Sequence, residues 1–230
     1  MQPYDRFTDF IFHSRRLIMN PKQAFYETQA QTILKNLEKR RMSGYYCPSR
    51  EEAVKTAMSL TPADTSVSFG GSMTLAETGI LDALKNRSDI RLTDRSLART
   101  PEEIKQAYRD SFSVNTYFMS TNAITLDGQL VNVDGNGNRV AALIYGPDQV
   151  IVVAGMNKVS SSTEDALRRV RNLASPPNCI RLNKNTPCAK TGVCAECLGD
   201  DCICSQTVIT RRSGIAGRIK VILVGEELGY

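Results

Sequence analysis

The segment Gln149-Val150-Ile151-Val152-Val153-Ala154-Gly155 carries the strongest secondary-structure signal in the sequence. Its apolar residues form a continuous run, without the alternation of polar and apolar residues that marks a half-exposed strand. A short run of this kind is typical of a strand that is buried on both faces of a parallel sheet. Because helices must then cover both faces, the segment predicts an α/β fold.

The rest of the sequence alternates between helical and strand patterns. Helices are predicted over about 22–41, 50–60, 74–85 and 163–174, and a further helix is predicted to begin at Thr100-Pro101. Strands are predicted over 44–47, 65–69, 90–92, 117–120, 123–126, 207–210 and 219–224, and Asp127-Gly128 predicts a hairpin turn. This alternation predicts a three-layer α/β domain, with an irregular stretch after Pro176-Pro177.

The length and composition are those of an ordinary globular chain. Of the 230 residues, 41% are hydrophobic and 23% are charged. No linker is long enough to divide the chain, so residues 20–230 are predicted to form one domain with a cysteine-rich excursion at about 176–206. Met19 offers a second plausible start, so residues 1–19 are expected to be an N-terminal extension.

Composition also restricts the expected cellular location and the classes of binding partner. The longest apolar run near the start, Phe10-Ile11-Phe12, is too short for a signal peptide, and no run of about 18 apolar residues exists to span a membrane. We therefore expect a cytoplasmic protein. The net charge of +5 favours anionic partners only weakly, and the basic clusters lack interleaved aromatic residues, so no nucleic acid partner is expected. The single histidine, His13, argues against Ser-His-Asp, Cys-His and histidine–metal chemistry.

A glycine-rich loop joins the predicted strand 65–69 to the next predicted helix. Its glycines would let a ligand approach the backbone closely, and the helix start would offer free N–H groups to an anion. The candidate ligand-binding residues here are Gly70, Gly71, Ser72, Thr74 and Glu77. The loop matches neither the P-loop nor the dinucleotide-binding pattern, so nucleotide specificity is not implied. A tight turn in which Glu77 only caps the helix is the alternative.

The stretch from Thr121 to Arg139 contains two acidic turns. Asp127 and Asp134 are the candidate catalytic residues, because two carboxylates on neighbouring loops could share acid–base work. Arg139 and Lys158 are candidates to hold a substrate carboxylate or phosphate. Further candidate ligand-binding residues are Asn122, Gly135 and Asn138. Asp-Gly pairs also form turns for structural reasons, and this alternative is favoured for Asp127.

The excursion contains most of the seven cysteines. Four thiolates on one loop could hold Zn²⁺ or an iron–sulfur cluster, and the Cys194-x2-Cys197 spacing lets two sulfurs face one ion. The candidate metal ligands are Cys188, Cys194, Cys197, Cys202 and Cys204. A disulfide or redox pair and unligated thiols are the alternatives. Cys47 and Cys179 are predicted to pack as small apolar residues.

Several longer segments resemble one protein family in the same order. These are GGSMTLAETGI from 70, TNAITLDGQLVNVDGNGNRVAALIYGP from 121, VIVVAGMNKV from 150, PCAKTGVCAEC from 187 and VILVGEELG from 221. Over residues 20–230, the sequence resembles the lactate-utilisation (LUD) domain family. The resemblance implies a fold similar to the glucosamine-6-phosphate deaminase, ribose-5-phosphate isomerase and CoA-transferase superfamily, a three-layer sandwich around a mostly parallel sheet. There the ligand lies at strand ends, near a Gly/Ser loop and an acidic Gly-rich loop.

The resemblance also implies a function. Family members take part in bacterial oxidation of L-lactate to pyruvate beside iron–sulfur partner subunits. The sequence contains no paired ferredoxin motif and no nicotinamide or flavin motif, so the chain is expected to be one component that binds a small anionic substrate. A self-sufficient enzyme on phosphorylated or CoA-linked substrates, with Asp127 or Asp134 as base, is one alternative. A non-catalytic subunit that docks a partner through its cysteines is another, and a homo-oligomer is left open.

Overall fold

The structure is a computed structural model that describes residues 20–230, so the predicted extension at 1–19 lies outside the described residues. The α-helices are α1 (Pro21–Lys39), α2 (Arg50–Ser59), α3 (Met73–Glu77), α4 (Ile80–Lys85), α5 (Pro101–Asp110), α6 (Asn138–Ile144), α7 (Thr163–Arg169), α8 (Ser175–Arg181) and α9 (Pro187–Thr191). The strands are β1 (Ser43–Cys47), β2 (Ser66–Phe69), β3 (Arg91–Thr93), β4 (Thr116–Ser120), β5 (Ala123–Thr125), β6 (Leu130–Asp134), β7 (Gln149–Gly155), β8 (Val159–Ser160), β9 (Gln206–Thr210) and β10 (Ile219–Val224).

Six of the strands form one parallel sheet. Their order is β1-β10-β7-β4-β2-β3, and every neighbouring pair runs parallel. Strand β7, which was predicted from its continuous apolar run, lies in the interior of this sheet between β10 and β4. Within the described residues, no helix is long and apolar enough to cross a membrane.

Side chains on the central strands alternate between two cores. Val150 and Val152 of β7 pack with α1 on one face of the six-stranded sheet. Ile151 and Val153 of the same strand pack with α2, α3 and α4 on the other face. Burial of apolar surface on both faces stabilises the packing of helices against the sheet. The predicted three-layer α/β architecture is therefore confirmed.

A second, four-stranded sheet has the order β8-β5-β6-β9. Strands β5 and β6 are antiparallel, and the predicted hairpin turn connects them, with Gly128 at φ 86° in the left-handed region that favours glycine. The sequence pattern does not separate these short strands from the main sheet, and it misses helix α6. That helix follows the Gly- and Asn-rich loop at 135–137, which reads as an isolated turn in the sequence.

The predicted capping box at Thr74 and Glu77 is wrong. Helix α3 begins at Met73, and Ser72 is its N-cap, because the Ser72 hydroxyl accepts a hydrogen bond from the Leu75 N–H at 3.3 Å. Thr74 is buried, and its hydroxyl donates to the carbonyl of Leu228 at 3.2 Å. The tertiary contact of Thr74 therefore replaces the local cap.

The prediction of irregular structure after Pro176-Pro177 is also wrong at its start. Helix α7 continues through a π-helical turn at Val170–Ala174 into α8, which contains both prolines in its first turn. Proline is tolerated there because the first N–H groups of a helix have no intrahelical acceptor.

The last residues of the chain, 225–230, form a tail that packs beside the end of β7. The Met156 N–H donates to the Glu226 carbonyl at 3.0 Å, and the Leu228 N–H donates to Asn157 Oδ1 at 3.1 Å. A Cβ at Gly155 would lie 2.7 Å from both the Glu226 carbonyl oxygen and the Leu228 nitrogen. Glycine at 155 thus permits the close approach of the tail.

We expect Gly155→Ala to lower the free energy of unfolding by about 1–3 kcal/mol, as overpacking of a buried site commonly does. Gly155 has φ −69° and ψ 153°, which alanine also adopts, so the cost is steric. Urea denaturation measures the change. Gly214→Ala is the matched control, because no atom of the described chain lies within 4 Å of its built Cβ. Equal losses of stability in the two variants would contradict the close-packed tail.

Candidate functional site

A cavity of about 380 Å³ lies at the carboxyl ends of the parallel strands. Gly71 follows β2, Ser120 ends β4, and Lys158 follows β7, so three neighbouring elements of the sheet each contribute a wall. Ligands in open α/β sheets bind at this edge, because the loops after the strands converge there. The volume is in the range of small-molecule sites.

The cavity brings together most of the residues that the sequence predicts for binding. Those that line it are Gly71, Ser72, Thr74, Asn122, Asp134, Gly135, Asn138, Arg139 and Lys158. The glycine-rich loop after β2 and the acidic loop after β6 therefore meet, although they are distant in sequence.

Three predicted residues lie outside the lining of this cavity. Gly70 is buried, and its N–H donates to the Phe118 carbonyl at 2.9 Å. The Glu77 carboxylate accepts a hydrogen bond from the Gly229 N–H at 2.6 Å and so holds the tail. Asp127 lies in the β5–β6 hairpin, where its carboxylate forms an ion pair with Arg40 at 2.5 Å. The structure thus places Asp127 in the hairpin turn, outside the lining of the cavity.

Arg139 is bound on all sides by protein acceptors. A guanidinium has five N–H donors, and here each one has a partner at 2.5–3.0 Å. The acceptors are the Asp134 carboxylate, the side-chain oxygens of Asn122 and Asn132, and the carbonyls of Ser120 and Val133. No donor is left for a substrate carboxylate, so in this structure Arg139 positions the surrounding loops.

Asp134 is likewise engaged within the protein. One of its carboxylate oxygens accepts from the Gly137 N–H at 2.8 Å, and the other accepts from Arg139 at 3.0 Å. Both contacts order the loop that begins helix α6. A general base at this position would have to give up its ion pair, so the geometry favours a positioning role for Asp134 over the predicted acid–base role.

Lys158 is a buried lysine on the wall of the cavity. It is 4% exposed, and its Nζ donates to the Ser120 hydroxyl at 3.1 Å and to the Thr121 carbonyl at 3.3 Å. Within residues 20–230, no carboxylate forms an ion pair with it. Burial lowers the pKa of Lys158 to about 7, and the positive charges of Arg169 and Arg139 act in the same direction.

Two further arginines, Arg95 and Arg181, line the cavity, and the sequence patterns predict neither of them. Arg95 donates to the Tyr108 hydroxyl at 2.9 Å, and its guanidinium carbon lies 5.3 Å from the centre of the Tyr108 ring. Arg181 of α8 donates to Asn178 Oδ1 at 2.7 Å. In the described part of the chain, neither arginine has an ion-pair partner, so the cavity carries an excess of positive charge.

The position of Arg95 has a sequence signal, because it follows the carboxyl end of β3. Ligand-binding groups follow the carboxyl ends of parallel strands, and this rule, which predicts Lys158 after β7, would also have predicted Arg95. Arg181 has no such signal, because it lies on a helix that the sequence pattern presents as irregular.

The predicted metal ligands are not assembled into a metal site in the structure. Among residues 20–230, no group of three or more His, Cys, Asp or Glu side chains is arranged to hold a metal ion. Cys188 instead lies 3.6 Å from Cys179, sulfur to sulfur, and both are buried. Cys204 lies 3.3 Å from the Ser175 hydroxyl, and the Cys204 N–H donates to the Cys202 sulfur at 3.4 Å. Cys194 and Cys197 lie partly exposed, so metal binding by these residues stays a prediction.

All seven cysteines are free thiols in the structure. Burial raises the pKa of Cys179 to about 11, so this thiol stays protonated at neutral pH. Cys47 is also buried, as expected for a small packed residue.

We expect the free energy of unfolding to rise with pH between about 7 and 10 more steeply in the native protein than in Lys158→Met. In the unfolded chain, Lys158 keeps its proton up to a pKa of about 10.4, whereas in the folded protein the pKa is about 7. Between these values the unfolded state binds more protons, so raising the pH stabilises the folded state by up to about 1.4 kcal/mol per pH unit.

Urea denaturation at pH 7, 8 and 9 measures the difference in slope between the two proteins. Lys55→Met, which removes an exposed lysine of α2, is the control and should keep the native slope. Identical slopes in the native protein and Lys158→Met would contradict the buried, weakly basic amine.

Comparisons with solved structures show distant likenesses. A DUF162 family protein from Deinococcus radiodurans is 12% identical, with 88% of this chain and 98% of that chain covered and a TM-score of 0.47. Ribose 5-phosphate isomerase A from Neisseria gonorrhoeae is 12% identical, with 51% and 57% covered and a TM-score of 0.32. The eIF2B delta protein from Chaetomium thermophilum is 17% identical, with 52% and 51% covered and a TM-score of 0.35. No curated protein matches the sequence significantly.

The family comparison covers most of the chain. The model of the LUD domain matches residues 30–224, which include both sheets and every loop that lines the cavity after β2, β4, β6 and β7. The expected family is therefore confirmed, and this chain belongs to the LUD domain family.

Proposed function

We propose that this protein is a cytoplasmic component of the oxidation of L-lactate, or of a related 2-hydroxy acid, to the 2-oxo acid. In this proposal the cavity binds the small carboxylate substrate. Membership of the LUD domain family supports the substrate class. The observation that carries the proposal is Lys158, a buried cation without a carboxylate partner in the described chain, on the wall of a small cavity.

The charge of the cavity favours an anion. A buried charge is costly unless an opposite charge or hydrogen bonds compensate it. Among the described residues, Lys158 has two hydrogen-bond acceptors, both neutral, and Arg95 and Arg181 add positive charge around the same space. A bound carboxylate would supply the missing negative charge. The hydroxyl of Ser120, which donates to the Thr74 hydroxyl at 3.3 Å, lies beside Lys158 to contact the 2-hydroxyl or 2-oxo group.

The chain's own part is to bind and orient the substrate and to hold a proton at Lys158. With a pKa of about 7, the Lys158 amine exists in both protonation states at neutral pH, as a proton-transfer group requires. Oxidation of a 2-hydroxy acid also needs an electron acceptor, and the sequence contains no nicotinamide or flavin motif. We therefore assign electron transfer to iron–sulfur partner subunits.

We expect L-lactate and pyruvate to bind the isolated protein, as measured by isothermal titration calorimetry. Lys158→Met should weaken this binding at least about tenfold, the effect of losing one charge-assisted contact in a buried site. In the native protein the affinity should fall as the pH rises above 7, because Lys158 then loses its charge.

Lys220→Met is the matched control. Lys220 is a partly buried lysine of β10 that donates to Gln149 Oε1 at 2.5 Å, and it does not line the cavity. This variant should bind as the native protein does. Binding of ribose 5-phosphate without binding of either carboxylate would contradict the proposal and favour the alternative of a phosphorylated substrate.

The predicted cofactor needs a separate experiment. Metal analysis and an absorption spectrum of protein purified without oxygen, beside a Cys194→Ser, Cys197→Ser double variant, test it. Bound iron or zinc that the double variant loses would support the prediction, because thiolates are the ligands that both metals prefer. Native protein without metal would contradict it and would leave the proposed carboxylate binding unaffected.

A further inference from the structure

Lys158 has the surroundings of a nucleophile as well as those of an anion-binding residue. A neutral amine has two N–H groups and one lone pair. The Ser120 hydroxyl and the Thr121 carbonyl are two acceptors at 3.1 and 3.3 Å from Nζ, so together they can take both N–H groups. The lone pair is then left without a partner among residues 20–230, on a side chain that lines the cavity.

The charged groups around Lys158 favour its neutral form. Arg139 and Arg169 lie close enough for their charges to oppose protonation, and Glu77, which acts in the opposite direction, has the smallest effect of the three. The Glu77 carboxylate is held by the Gly229 N–H, and the Asp134 carboxylate is held by Arg139. Desolvation beside other cations is one of the ways in which proteins activate a lysine as a nucleophile.

The tail lies beside this amine. A Cβ built at Gly229 would lie 3.4 Å from Lys158 Nζ and 2.6 Å from the Thr74 hydroxyl, so the tail backbone packs directly against the amine. Water drives the hydrolysis of imines, so the burial of Lys158, which is 4% exposed, favours retention of an imine once it forms.

We propose that Lys158 forms an imine with the carbonyl carbon of a bound 2-oxo acid such as pyruvate. This inference rests on the proposed function, because it needs the carboxylate of the 2-oxo acid to be bound in the same cavity. Arg95 and Arg181 are then the cations that hold that carboxylate. Lys158 would be a catalytic residue in its own right, and the protein would hold the oxo acid covalently.

The step balances without an oxidant or a reductant. The lone pair of Nζ attacks the carbonyl carbon, and a new C–N bond forms. The carbonyl oxygen takes up the two amine hydrogens and leaves as water. The Ser120 hydroxyl, which accepts from Nζ and donates to Thr74 Oγ1, is placed to relay one of these protons.

Reductive trapping tests the imine. The native protein is incubated with pyruvate and sodium cyanoborohydride, and the adduct is located by peptide mass spectrometry. We expect one reduced pyruvate adduct, on Lys158, and none with L-lactate, which has no carbonyl group to react. Lys158→Arg should form no adduct, although it retains a positive charge, and Lys220→Met should form the native amount.

The pH dependence of the adduct yield in the native protein is a test that needs no variant, so it does not depend on whether Lys158→Arg folds. At pyruvate concentrations that saturate the protein at each pH, the yield on Lys158 should rise through about pH 7 and then level off, following its pKa of about 7. Lys55, an exposed lysine of α2, is the reference site for labelling in the same samples. Equal labelling of Lys158 and Lys55 at pH 7 would overturn the proposal.

Calorimetry on the same samples separates this inference from the proposed function. Pyruvate that binds without forming an adduct on Lys158 would overturn the imine and leave the proposed function standing. An adduct on Lys158 in protein that does not bind L-lactate would support the imine and contradict the proposed oxidation. Protein that neither binds pyruvate nor is trapped would overturn both.

Discussion

The hydrogen-bonded guanidinium of Arg139 is the constraint on which the arrangement of the cavity depends. Leaving a buried charge without its partners costs several kcal/mol, roughly 3–5 when one member of a pair is removed, so the five acceptors must be in place together. Four of them come from the two sheets, and Asn122 lies in the loop between β4 and β5. The Ser120 carbonyl ends β4 of the parallel sheet, and Asn132, Val133 and Asp134 belong to β6 of the second sheet. One side chain therefore fixes how the two sheets meet at the cavity.

This arrangement decides which charges a ligand can meet. Arg139 and Asp134 neutralise each other and use their polar atoms within the protein. Lys158, Arg95 and Arg181 form no ion pair within the described residues. Arg139, which the sequence predicts as a carboxylate ligand, uses its donors within the protein, and we therefore propose the ligand-facing role for Lys158. Burial of the Lys158 amine beside other cations is then tolerable only because its basicity is reduced.

The sequence predicts the sheet and the position of the cavity better than the roles of its residues. Strand β7 is predictable because burial on both faces requires a continuous apolar run. The loops at 70–74 and 134–139 are predictable because the ends of parallel strands converge. The hydrogen bonding of Arg139 is not predictable from the sequence, since its acceptors become neighbours only when the second sheet packs against the first. Arg181 is missed for a different reason, because Pro176-Pro177 suggests a helix break where the structure has a first turn.

The cysteine-rich segment lies in the same wall of the cavity as the acidic loop after β6. Changes at its cysteines are therefore coupled to the cavity. Ile203, between Cys202 and Cys204, lines the cavity, and the Ser205 N–H donates to the Asp134 carbonyl at 3.0 Å. A Cβ at Gly135 would lie 3.2 Å from the Ile203 backbone, so the two loops are in direct contact. A change that rearranged Cys202 or Cys204 would move the backbone that positions Asp134 and, through it, Arg139. Conversely, a ligand that binds one arrangement of this wall more tightly would also shift the arrangement of the Cys202 and Cys204 thiols.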